Sequence, residues 1–148
     1  MKGNGSPLVL IHGGGSTIES SFGRLLPVLT KNYKVIAVDM EAHGRTKDIG
    51  RSLSFERDAD NIAALLDHLN IERASVLGFS NGATTAVQIA IRHPERVDRL
   101  VLASVLTKRS GVDPGFWEGF KQPHIGMMPQ ALKDAYLKVS PDEEGLQT

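Results

Sequence analysis

The stretch Ala74-Ser-Val-Leu-Gly78-Phe-Ser80-Asn-Gly82-Ala-Thr-Thr-Ala-Val-Gln-Ile-Ala90-Ile-Arg-His93-Pro94 decides how the rest of the chain is read. Ala74 to Leu77 is a short, largely apolar run, of the kind buried on both faces of a parallel sheet. After Ser80, the residues Ala83, Ala86, Val87, Ala90 and Ile91 recur at helical spacing and stop at His93-Pro94, where proline ends the helix. A serine between strand and helix sits on a sharp turn in strained backbone, and flanking glycines leave room where side chains would collide. Such a turn presents the hydroxyl at the carboxyl edge of the sheet, where open α/β sheets bind ligands. The helix N-terminus behind it supplies N–H groups and a favourable dipole for a developing oxyanion. Ser80 is therefore the candidate nucleophile. The pattern G-x-S-x-G is weak alone, because Gly and Ser are common; the strand before it and the helix after it give it force. The competing reading is a tight turn whose two glycines serve packing only.

Working outward, three further apolar runs predict strands at Pro7 to Ile11, Lys34 to Val38 and Asp98 to Ala103. Ser54 is a plausible N-cap, followed by Phe55, Ala59, Ile62, Leu66 and Leu69 at helical spacing. A weaker helix is predicted from Ser20 to Thr30, with Phe22, Leu25, Leu26 and Leu29 as its apolar face. Strand and helix alternate, the pattern of an α/β domain with a doubly wound, mostly parallel sheet of about four strands. Residues 1–105 are expected to form this core. Residues 106–148 break the alternation: loop material at Gly111 to Gly115, an aromatic cluster of Phe116, Trp117 and Phe120, then Met127-Met128-Pro129 and a helix from Gln130 to Val139. This segment reads as a helical insertion over the sheet. Ser140-Pro141-Asp142-Glu143-Glu144 has the signature of a helix start, with a capping serine, proline at the first position and acids in the first turn. Only four residues follow it, so the chain is expected to be cut short.

Composition narrows the class of function. The 148 residues are 41% hydrophobic and 23% charged, near the average for soluble globular proteins. Lys plus Arg equals Asp plus Glu, 17 each, so the basic surplus needed for a nucleic-acid or anionic-membrane partner is missing. No apolar run approaches the roughly 20 residues of a membrane helix, and the N-terminus has no signal core. The absence of cysteine removes disulfides, thiolate metal sites and cysteine nucleophiles together. A soluble, cytoplasmic enzyme domain is expected, with no cofactor, no metal and a small-molecule substrate. The oligomeric state is not written in the sequence.

Two more motifs fall at strand ends. His12-Gly13-Gly14-Gly15 follows the first strand, and consecutive glycines let main-chain N–H groups face a site with no side chains in the way, the construction of an oxyanion loop. A dinucleotide loop is disfavoured because Ile18 stands where a third glycine is needed, and no Gly-Lys-Ser/Thr of a P-loop follows. His12 reads as a structural hydrogen-bonding residue. Asp39-Met-Glu-Ala42-His43-Gly44-Arg45-Thr46 follows the second strand, so its polar groups face the same sheet edge as Ser80, and its expected role is to fix the loops there.

Together these three motifs resemble the α/β-hydrolase superfamily, in its lid-bearing branch of esterases, lactonases, epoxide hydrolases and prolyl aminopeptidases. The resemblance covers essentially the whole chain. One departure is Ala42, where the family's D-x-x-G-H-G-x-[ST] has its first glycine. The resemblance implies oxyanion donors at the N–H of Asn81 and that of Gly14, with Gly15 as the alternative to Gly14, and a lid beginning near Leu106. It implies an acyl-serine mechanism on an ester, lactone or similar bond, whereas the epoxide and haloalkane branches use a carboxylate at the serine position. Acyl transfer, thioester cleavage and a non-catalytic binding role are the alternatives. In this fold the triad acid and histidine follow the nucleophile in the chain. No later strand is legible after Ala103; His124 is a poor candidate for the base, and Asp113 is no better placed to orient one. The family's two antiparallel strands before the first parallel one are expected to be absent, since Lys2 to Ser6 leave no room. The chain alone is therefore expected to hydrolyse esters poorly, and an uncovered edge beside Leu100 to Ala103 is expected to favour association. Phe116, Trp117, Phe120, Met127 and Met128 could line an acyl pocket, but lid packing explains them equally well.

Overall fold

The computed structural model describes residues 1–119 and 125–140. Four parallel strands, β1 (Ser6–Ile11), β2 (Tyr33–Val38), β3 (Ala74–Phe79) and β4 (Val97–Ala103), lie in the order β2-β1-β3-β4. All four predicted strands are present, each within one or two residues of its expected bounds. Helix α3 (Phe55–His68) leads back to β3, and α4 (Asn81–Arg92) leads on to β4. The Ser54 hydroxyl caps α3 by accepting the Arg57 N–H.

Strand β1 is buried on both faces and sends alternate side chains to two cores. Val9 and Ile11 meet Ile36, Val76, the α3 residues Ala59, Ile62 and Leu66, and the α4 residues Ala86 and Ile89. Leu8 and Leu10 meet Val35, Ile18 and Phe22 on the opposite face. At roughly 25 cal/mol per Å² of apolar surface removed from water, these two layers supply the main drive for folding. Beyond the cores, Asp60 of α3 accepts hydrogen bonds from Arg92 and pairs with His93 at the end of α4. These partners, Arg92 first, hold its carboxyl down at about 2.

The segment between β1 and β2 corrects the predicted single helix. It folds as two short pieces, α1 (Ile18–Phe22) and α2 (Leu26–Leu29). Pro27 is the cause: it has no N–H to give the carbonyl of Gly23, and its ring would strike that carbonyl in a continuous helix. Thr17 and Ser20 form a reciprocal cap at the start of α1. Leu25, expected on the apolar face, is exposed, and Ile18 takes its place in the core. The N-terminus adds one contact to the sheet. Lys2 exchanges both main-chain hydrogen bonds with Val35 as an isolated antiparallel bridge on the outer side of β2. As expected, no antiparallel strand precedes β1 among the described residues.

Strand β4 closes the other side of the sheet among the described residues, and Val101 and Leu102 on it are exposed. After it come a 3₁₀ turn at Arg109–Gly111, helix α5 (Pro114–Gly119), a second turn at Ile125–Met127 and helix α6 (Gln130–Leu137), with α6 lying against α1. Phe120, His124 and the acidic stretch from Pro141 lie outside the described residues. Among those residues no helix is long and apolar enough to cross a membrane.

Candidate active site

Ser80 stands between β3 and α4 at φ 52° and ψ −114°, a backbone conformation that side chains other than glycine's rarely adopt. The strain is held from both sides. The Ser80 N–H donates to the carbonyl of Ala103 at the end of β4 (2.8 Å), while its own carbonyl accepts from the N–H groups of Ala83 and Thr84 (3.0 and 3.2 Å). The hydroxyl has no hydrogen-bond partner among the described residues.

The flanking glycines are required by close backbone approach. A Cβ on Gly78 would lie 2.3 Å from the carbonyl oxygen of Gly82, and a Cβ on Gly82 would lie 2.2 Å from that of Ile11. The first lets helix α4 turn back over β3; the second lets its first turn sit on the carboxyl end of β1. The His12–Gly15 loop is consequently pressed against the serine turn. A Cβ on Gly13 would be 3.5 Å from Ser80 Cβ, and one on Gly14 would be 3.5 Å from Asn81 Cβ.

Accounting for the loop N–H groups separates the candidate donors. Gly13 N–H donates to Ser21 Oγ (3.4 Å), and Gly15 N–H donates to His43 Nε2 (3.1 Å). The N–H groups of Gly14 and Asn81 have no acceptor among the described residues. Gly15, the alternative to Gly14 in the sequence reading, is thus already engaged.

Both loop histidines are structural. His12 is fully buried; its Nε2 accepts the Met40 N–H (3.0 Å), so Nδ1 carries the proton and donates to the Gly13 carbonyl (2.7 Å). Burial pushes its pKa below the usual histidine value and keeps the ring neutral. His43 Nε2 accepts from the Gly15 N–H, and its Nδ1 faces the Glu41 carbonyl at 2.8 Å. The two rings lie 4.9 Å apart and tie the glycine loop to the loop after β2. Asp39 anchors that second loop: its carboxylate accepts from the N–H of Ile18 (2.9 Å) and from Arg45 (2.9 Å), which also grips Glu19. Gly44, at φ +50°, leaves the space this carboxylate occupies, since a Cβ there would be 2.7 Å from Asp39 Cγ.

Ala42 sits in the same loop at φ 61°. A Cβ in left-handed backbone costs roughly 1–2 kcal/mol, partly offset by the lower unfolded-state entropy of alanine. Ala42→Gly should therefore stabilise the fold by about 1 kcal/mol, read as a Tm increase of about 2–4 °C. An unchanged or lower Tm would show that the loop relaxes around the Cβ.

Of the apolar residues after β4, the described part brings Met128 to the site: its Cε would lie 3.4 Å from a Cβ on Gly15. Phe116 and Trp117 instead pack edge-to-face on each other at 5.1 Å, with the Arg109 guanidinium over the indole. Beside the His12–Gly15 loop lies a cavity of about 460 Å³, lined by Gly14, Asn81, His43, Phe55 and Asp58 among others. Asp58 was not anticipated. Its signal was present, because it falls one turn before Ile62 on the apolar stripe of α3. Burial raises its carboxyl pKa above the ordinary range, with His43, Glu41, Arg51 and Arg57 as weaker influences. A larger depression of about 690 Å³ lies over the β2 side of the sheet and contains neither Ser80 nor Gly14. Among the described residues no group of three or more His, Asp or Glu is placed to hold a metal.

Residues 6–137 match the family described as alpha/beta hydrolase fold, and the chain belongs to that family. It is 41% identical over 105 residues to 2-hydroxymuconate semialdehyde hydrolase of a Pseudomonas species, covering 68% of this chain and 37% of that protein. It is 38% identical over 141 residues to pimeloyl-[acyl-carrier protein] methyl ester esterase of Photobacterium profundum, covering 95% of this chain and 50% of that protein. A meta-cleavage product hydrolase from Pseudomonas fluorescens superposes with a TM-score of 0.78 at 28% identity, over 98% of this chain and 61% of that one. The chain thus spans between about a third and a half of the curated relatives it matches.

Proposed function

We propose that Ser80 is the nucleophile of a serine hydrolase that cleaves an ester, lactone or similar acyl bond through an acyl-serine intermediate. The observation that carries this reading is the strained Ser80 turn, with the unengaged N–H groups of Gly14 and Asn81 on loops packed against each other. In this mechanism Ser80 Oγ attacks the acyl carbon and gives up its proton to a base. The carbonyl oxygen gains negative charge as the tetrahedral centre forms, and the two N–H groups stabilise it. Collapse expels the alkoxide, which takes a proton, and water then cleaves the acyl-serine ester. The acid and histidine that complete such a site follow the nucleophile in the chain order of this fold. Residues 106–119 and 125–140, with Met128 near Gly15, form part of a lid over the acyl group.

Acyl transfer to an acceptor other than water is a second reading. It is favoured by 34% identity over 120 residues to a protein named as the dihydrolipoyllysine-residue acetyltransferase component of an acetoin-cleaving system in Cupriavidus necator.

Incubation with excess 4-nitrophenyl butyrate followed by peptide mass mapping tests the nucleophile. With no described base on the hydroxyl the reaction is slow, so the expected result after prolonged incubation is one butyryl group on the peptide containing Ser80, absent in Ser80→Ala. Butyryl groups on lysines alone, with none on Ser80, would overturn the assignment.

A further inference from the structure

The cavity beside Gly14 and Asn81 has a polarity of its own. Its apolar wall is Met40, Leu53 and Phe55, and its polar wall is Glu41, Glu56, Asp58 and His43. No lysine or arginine lines it among the described residues. Glu41 is spoken for: the Arg51 guanidinium clasps both of its oxygens (Nε to Oε2, 2.8 Å) and holds its pKa below the usual range. Arg57 turns away to the carbonyl of Ser52. His43 is engaged through both ring nitrogens, Nε2 with the Gly15 N–H and Nδ1 with the Glu41 carbonyl. Glu56 is exposed at the rim.

Asp58 differs from all of these. Only 8% of it is exposed, yet its carboxylate accepts no hydrogen bond among the described residues. Among those residues no completely enclosed side-chain oxygen or nitrogen lacks a partner, so the unpartnered oxygens of Asp58 must retain an opening, and the space they line is this cavity. A buried carboxylate with spare acceptor capacity, in a cavity lined by no lysine or arginine, is an incomplete pair.

We propose that this cavity receives an ammonium-bearing part of the substrate, with Asp58 as its specificity-determining anchor. The inference rests on Ser80 as nucleophile, because the cavity shares Gly14 and Asn81 with that site. A charge-assisted N⁺–H···O⁻ bond is roughly twice as strong as a neutral one. In a cavity this screened it would satisfy both the ligand and Asp58, while Met40, Leu53 and Phe55 take the apolar remainder. The volume is within the usual 300–1,000 Å³ of small-molecule sites. A carboxylate ligand would instead meet Asp58 and Glu56 with like charge.

Titration calorimetry of the 148-residue chain at pH 7.5 with 3-phenylpropylammonium, 3-phenylpropanol and 3-phenylpropionate tests this without requiring turnover. The ammonium should bind at least tenfold more tightly than the alcohol, and the carboxylate should bind most weakly. In Asp58→Asn, which keeps the shape and removes the charge, the preference for ammonium over alcohol should fall below threefold. Equal affinities in the unmodified chain, no binding of any probe, or a tenfold preference surviving in Asp58→Asn would each overturn the proposal. The unmodified chain's ranking decides it even if the variant misfolds. Acylation of Ser80 without an ammonium preference defeats this inference alone, whereas the preference without acylation defeats the nucleophile alone.

Discussion

Turnover of 4-nitrophenyl acetate by the 148-residue chain should fall on the order of 10⁶ below that of a hydrolase with a complete triad. The serine hydroxyl is a weak nucleophile until a base takes its proton in the attack. No described residue makes a hydrogen bond to the Ser80 hydroxyl. The histidines within reach of the sheet edge are committed elsewhere: His12 to Gly13 and Met40, His43 to Gly15 and Glu41. Under the proposed mechanism, what is left is oxyanion stabilisation by the N–H groups of Gly14 and Asn81, worth about 10³–10⁴ over the uncatalysed reaction. Because triad members act as a unit, removing a serine to which no described residue supplies a base should change this residual rate by less than about tenfold. Easily measured turnover that Ser80→Ala abolishes would overturn this expectation. His124→Ala, assayed alongside, tests the one histidine outside the described residues and should leave the rate unchanged.

A second large effect is expected at Gly82. Alanine there would push a methyl group to 2.2 Å from the Ile11 carbonyl oxygen and 2.5 Å from that of His12. Both obstacles are main chain at the end of a central strand, so neither can swing aside as a side chain would. Overpacking of this kind costs about 3 kcal/mol or more, a large fraction of the roughly 5–15 kcal/mol that holds a domain folded. With urea slopes of about 1–3 kcal/mol per molar, the unfolding midpoint of Gly82→Ala should drop by at least 1 M. Gly111→Ala is the control, because a Cβ there meets nothing within 4 Å, and its midpoint should stay at the parent value. If Gly82→Ala kept the parent midpoint, α4 could retreat from β1 at little cost. Any such retreat would also carry Asn81 away from Gly14, so acylation of Ser80 should fall with stability.

The local and the non-local parts of this protein divide along a physical line. Strand and helix alternation, the serine turn and the end of α4 at His93 were legible in the sequence, because each depends on periodicity or punctuation within a dozen residues. The break between α1 and α2 was equally local but was read past: Pro27 falls inside an apolar spacing that otherwise looks continuous. The motif Gly78-Phe-Ser80-Asn-Gly82 showed that glycines were needed, yet their separate reasons came from the fold. Gly78 makes room for the turn itself, while Gly82 makes room for β1, about 70 residues earlier in the chain.

What the sequence by itself determined is the fold class, the family and the residue to test as nucleophile, since these follow from patterns that each segment carries alone. What only the tertiary structure decided is which polar groups remain available. Gly14 and Gly15 are indistinguishable in a run of three glycines, and it is His43, arriving from the neighbouring strand, that engages one and leaves the other. Asp58 looks like one more charge near a helix start until α3 packs against the sheet and closes it into a cavity with no partner. Hydrogen-bond satisfaction and burial are properties of packed neighbours distant in sequence, and no periodicity along the chain encodes them.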